Sequence, residues 1–202
     1  MKKLGVLGLS IIMVMGLAAC GKDKTSDKDQ TTVATTEATT EAAVEITDSL
    51  EIFNTVWATY GEDEKFSIAG GDYNNSVMDA PGKFNVTDVE SLDAMLGVPA
   101  TAAAYIDDAA SVMHMMNANT FTAGAYRVTD SANQQAFCDS LKDNIMNRQW
   151  MCGFPDTLII VSIGENYVVS AFGNGEIIET FKTKVTAEYP MATVVYEESL
   201  AQ

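Results

Sequence analysis

Two apolar runs joined by a three-residue turn constrain this chain more than any other feature: Thr157–Ile163 and Tyr167–Phe172, with Gly164-Glu165-Asn166 between them. Both are rich in β-branched and aromatic residues, and a short Gly-containing gap between such runs is a hairpin signal. Two more strands are expected upstream, Ala110–Met116 and Thr120–Val128, joined by a turn at Asn117–Asn119. A long helix from about Ala132 to Gln149 separates the two pairs. Phe137, Leu141 and Ile145 form its apolar stripe, and Thr129-Asp130-Ser131 supplies its cap. After the hairpin, Asn174 and Gly175 lead into a final helix with Ile177, Ile178, Phe181 and Val185 inward, and Ala192–Tyr196 offers an edge strand. Strands joined by tight turns pair antiparallel, and helices then bury one face of the sheet. The expected fold is α+β: a two-layer sandwich of an antiparallel four-stranded sheet with helices packed on one face.

The folded domain is expected from residue 44 to residue 202 as one unit. Asp48 and Glu51 are spaced as a capping box for a first helix carrying Leu50, Phe53, Val56, Trp57 and Tyr60, with Gly61 as its stop. Glu62-Asp63-Glu64 lacks the alternating oxygen ligands of a calcium loop and reads as a solvated turn. Residues 66–83, rich in Gly, Asn, Asp and Pro, read as irregular loop. A short helix is expected from Thr87, with Glu90 completing a second capping box, and Pro99 opens another.

The first nineteen residues read as an export leader. Lys2 and Lys3 are followed by an apolar run, Leu4–Leu17, short for a membrane span of about 20 residues. The ending Leu17-Ala18-Ala19-Cys20 resembles a bacterial lipobox. That resemblance implies lipidation of the Cys20 sulfur and cleavage before it, the two acyl chains then giving stable anchoring. Residues 20–43 hold an approximate Thr-Thr-Glu-Ala repeat and no aromatic residue, so they cannot bury enough apolar surface to fold. As a disordered tether they would span roughly 25–30 Å.

The formal charge of −16 narrows the choice of partners. It opposes phosphate backbones, so no nucleic-acid partner is expected, and the membrane is reached through the Cys20 lipid alone. Cys138 and Cys152 could pair in an exported protein, or Cys138 could be a buried core residue beside a loop thiol at Cys152. His114, the only histidine, stands among Met113, Met115 and Met116, types that suit a soft metal. Neighbours on a strand point to opposite faces, so these cannot converge on one ion. The methionines are expected to alternate into the core. No metal and no cofactor are expected.

The stretch Gly164–Phe181 carries most of a resemblance to a family of small Firmicutes lipoproteins with domain of unknown function (DUF) 4358. The lipobox, the Ser111–Met116 strand and Tyr126-Arg127-Val128 before a long helix add to the resemblance, which covers about Leu96 to Val185. The chain departs from the family pattern at Arg127, where lysine is usual, and in the Trp150–Pro155 loop. The resemblance implies no activity, and no catalytic residues follow from it.

No nucleophile elbow, zinc-protease motif, phosphate loop or Cys-x-x-Cys is present. The expectation is therefore a membrane-anchored, extracytoplasmic, non-enzymatic binding or envelope-accessory module with an envelope protein as partner. The alternatives are a small-ligand-binding lipoprotein, or a hydrolase using two of the many carboxylates. Trp150, Phe154 and Tyr73 are the binding candidates, as aromatic residues in expected loops.

Overall fold

The sheet at the centre of the molecule has eight strands rather than the four the sequence suggests. A computed structural model describes residues 45–151 and 153–200. The expected leader at 1–19, the lipid-bearing Cys20, the tether at 20–43 and Cys152 lie outside the described residues. In chain order the strands are β1 (Ile68–Gly70), β2 (Val77–Met78), β3 (Gly82–Phe84), β4 (Ile106–His114), β5 (Phe121–Val128), β6 (Thr157–Ile163), β7 (Tyr167–Gly173) and β8 (Ala192–Ser199). The α-helices are α1 (Ser49–Ala58), α2 (Val89–Ser91), α3 (Ala100–Ala103), α4 (Gln134–Met146) and α5 (Gly175–Glu188). The sheet order is β2-β1-β4-β5-β7-β6-β8, every pairing is antiparallel, and β3 joins β1 along the same edge of β4.

The two-layer expectation fails for a second reason: helices cover both faces. On one face α1 and α5 bring Ile52, Phe53, Val56, Ile178, Phe181 and Val185 down onto Val112, Ala123, Ile159, Val161 and Ala171. On the other, α4 and the α2–α3 segment set Phe137, Leu141, Ile145, Leu92 and Leu96 against Tyr126, Leu158, Ile160, Val168 and Phe172. Consecutive residues of β6 thus enter different cores. The continuous run Leu-Ile-Ile-Val is what a strand buried on both faces requires, whereas a half-exposed strand would alternate.

Residues 66–83 do not form irregular loop throughout; they hold three of the strands. Gly70 and Gly82 read as breakers but allow the ends of β1 and β3 to meet. A Cβ on Gly70 would lie 2.2 Å from the Gly82 nitrogen. Ser111 Oγ, buried beneath this junction, donates to the Gly71 carbonyl at 2.7 Å.

The caps fall close to expectation. Asp48 accepts from the Glu51 N–H at 2.9 Å, while Glu51 Oε2 reaches back to the Thr47 N–H at 2.8 Å. The second helix is capped by Asp88, one residue past Thr87, and runs on as a π-helical turn over Leu92–Leu96. That turn ends at Gly97 (φ +76°), where a Cβ would stand 2.5 Å from Ile145 Cγ1.

The sheet has two ends. At the lower end lie the starts of β4 and β7, where the described chain enters: the Tyr167 hydroxyl donates to the Ile46 carbonyl at 3.2 Å, and Asp108 accepts from the Ser49 N–H at 2.7 Å. At the upper end lie the end of β4, the start of β5 and the loop from α4 to β6.

Candidate docking surface

Two loops form the upper end, residues 115–120 between β4 and β5 and residues 147–156 between α4 and β6; a third, residues 71–76 between β1 and β2, turns beside the middle of β4 and sends Tyr73 to a cleft it shares with Asn119 and Trp150. The 71–76 turn is built on Asp72, which is 2% exposed. Its Oδ1 accepts from the Asn74 and Asn75 N–H groups at 2.8 and 2.9 Å, and Oδ2 from the Asn85 N–H at 3.0 Å. Burial pushes this carboxyl up, but the three backbone donors outweigh it and hold the group charged below the usual carboxylate range. Tyr73, the next residue, is left 71% exposed.

The 115–120 loop is closed by His114, whose Nδ1 accepts from the Met116 and Asn117 N–H groups at 3.2 and 3.3 Å while its ring stacks on Phe66. His114 shares the α1–α5 face, whereas Met113 opens on the other face. Cys138, a free thiol buried in the α4 core, is therefore separated from His114 by the sheet. Burial, with Asp139 nearby, pushes that thiol up to about 12. The described thiol and the imidazole cannot form a nucleophile pair.

The 147–156 loop is pinned at both ends. Asn119 Nδ2 donates to the Gly153 carbonyl at 3.0 Å, and Asp156 accepts the Gly175 N–H of α5 at 3.1 Å. Arg148 ties the end of α4 to the π-helical turn, donating to the Ala94 carbonyl at 3.3 Å and to the Asp93 carbonyl, with the Asp93 carboxylate 3.7 Å away. Asn144, one turn earlier, donates to Asp93 Oδ1 at 2.8 Å and to the Gly97 carbonyl at 3.0 Å. Trp150 rests its ring 5.2 Å from that of Phe172 and under the Arg148 guanidinium.

Three clefts run across these loops and share Asn119. The largest, about 780 Å³, passes between Glu90, Asp93, Arg148, Trp150 and Met151. A second, about 270 Å³, is lined by Tyr73, Met95, Met113, Trp150 and Phe172. The third, about 310 Å³, lies under Phe154 beside Asn117, Asp156 and Asn174. The structure thus brings Tyr73 and Trp150 to one cleft and Phe154 to its neighbour, with Trp150 half-buried and the other two exposed.

Sequence reasoning missed Met95, Met113 and Arg148 as lining residues. It also placed the 113–116 methionines in the core, but β4 ends at His114, and Met115 and Met116 are 42% and 78% exposed on the turn. The signal was present in a Met-Met pair directly before Asn-Ala-Asn, where turn residues succeed the strand.

Among the described residues no group of three or more His, Cys, Asp or Glu side chains is placed to hold a metal, and no helix is long and apolar enough to cross a membrane. Among the described residues, the carboxyls of Glu64, Asp72, Asp108 and Asp139 are held below the usual carboxylate range by the hydrogen bonds they accept. No protein-family model, curated protein or solved structure matches the chain.

Proposed function

We propose that the chain is an extracytoplasmic lipoprotein, tethered through Cys20, whose folded domain is a non-enzymatic docking module for an envelope protein. The leader, the lipobox-like ending and the resemblance over Leu96–Val185 support the location. One observation carries the docking role. Of the nine large apolar residues exposed among the described residues, five lie on the upper-end loops or the last turn of α4, Met115, Met116, Met146, Met151 and Phe154, and a sixth, Tyr73, lines a cleft there with Trp150. The other three are Val77 and Met78 on the edge strand β2 and Val194 towards the other end. Exposed apolar residues scattered singly need no explanation, but a gathering around adjoining clefts marks an interaction surface.

Met151 and Phe154 are 88% and 70% exposed, so Met151→Glu combined with Phe154→Ser should leave both cores intact. The double variant should lose a partner that co-purifies after chemical crosslinking of intact cells, while Val194→Glu keeps it. Retention by the double variant, with normal abundance, would contradict the reading.

A further inference from the structure

The charge around the upper end specifies what kind of partner fits it. Every lysine and arginine among the described residues already stands against a carboxylate, from 2.5 Å for Lys83–Asp108 to 3.7 Å for Arg148–Asp93. Arg148 and Lys65, the cations lining the clefts of this end, are both engaged: Arg148 with the π-helical turn, and Lys65 with Glu62 at 3.0 Å. Carboxylates are in excess there. Glu90 and Asp93 border the largest cleft, Asp156 the one under Phe154, and Asp79 a fourth cleft between Trp57 and Phe66. Glu90 has no hydrogen bond or ion pair among the described residues.

We propose that the occupant is a cationic amphipathic segment of a partner protein. Its apolar side chains seat between Tyr73, Trp150 and Met151 and beside Phe154, and its lysines or arginines reach Glu90 and Asp156. The inference rests on the reading of the upper end as a docking face and adds the chemistry of what docks. Three considerations select this occupant. Methionine side chains are flexible and polarizable, suiting a surface that grips an apolar helix face without a fixed pocket for each residue. An anionic lipid surface would meet carboxylates with no uncommitted cation to offset them. A second copy docked upper end to upper end would set the same carboxylates against each other, and like-charge juxtaposition is costly.

The methionines also provide the test. The full chain, held in zwitterionic phosphatidylcholine nanodiscs and labelled at its methionine methyls, is titrated with synthetic helical peptides of equal length and followed by NMR. An amphipathic Lys/Leu peptide should shift Met95, Met113, Met116 and Met151 and leave Met191, beside the Gly164 turn at the lower end, in place. Affinity should fall several-fold as salt rises from about 50 to 300 mM, and about two- to threefold on Glu90→Gln.

A Gln/Leu peptide binding the same methyls as tightly would overturn the cationic partner while leaving the docking face standing. Equal binding by a scrambled, non-amphipathic Lys/Leu peptide would reduce the effect to bulk charge and overturn the proposal. Shifts at these methyls that grow with protein concentration alone would assign the face to a second copy. Absence of any upper-end shift with every amphipathic peptide would remove the docking face itself.

Discussion

At the scale of single residues, several positions that look interchangeable in the sequence are fixed by one close approach. Tyr126 is fully buried, and its hydroxyl lies 3.2 Å from Ser170 Oγ on the neighbouring strand. To reach it the side chain lies back over Gly124, where a Cβ would stand 2.0 Å from the tyrosine oxygen. Gly124→Ala should therefore destabilise the fold by about 1–3 kcal/mol in denaturant titrations, because neither the strand nor the ring can retreat. A stability unchanged within error would show that the ring has room to move.

Asp72 sets a different limit. Its folded-state pKa is depressed by backbone donors, so the stability it contributes is present above the unfolded carboxylate value and is lost as pH falls through the folded one. Proteolysis within residues 71–76 should stay constant from neutral pH to about 5 and rise below about 4, with Asp72→Asn removing the rise. None of this was legible in advance. Gly124 and Asp72 act on partners two residues along a strand or across a loop, and nothing in local composition marks such a contact. Cys138 was legible, because its place beside the Phe137–Leu141–Ile145 stripe already put it in the core.

At the scale of elements, the hairpin of β6 and β7, the two long helices and the strand after α5 were readable because each carries its own periodicity and cap. Asn174 accepts from the Glu176 N–H at 3.1 Å as a helix start should. What escaped was how many layers these elements make. Tight turns imply antiparallel pairing, and antiparallel sheets often leave one face to water, so helices were assigned to one side. The continuous burial of Leu158, Ile159, Ile160 and Val161 argues otherwise, since such a strand needs cover on both faces.

Phe137→Ala on α4 and Phe181→Ala on α5 should then each cost about 3–5 kcal/mol, the range for emptying a packed aromatic site. A two-layer molecule would leave one of them nearly neutral. β1 to β3 escaped for another reason: their pairing depends on glycines that local reading takes as breakers, and only β4 supplies the long-range partner.

At the scale of the whole molecule, the account rests on polarity from end to end. The described chain enters low, beside Tyr167 and Asp108, while most of the exposed apolar side chains gather high, on loops held by His114 and Asn119, with Tyr73 reaching in from the Asp72 turn. Aromatic residues in expected loops led to Tyr73, Trp150 and Phe154, but only the fold could place them at one end and add the methionines between them.

The most direct test is photocrosslinking in living cells from single reactive side chains at Tyr73 and Phe154, compared with Val194 and Glu165 at the lower end. The account predicts one recurrent envelope protein captured from both upper positions and from neither lower one. Capture of the same protein equally from all four positions, or only from Val194 and Glu165, would contradict it.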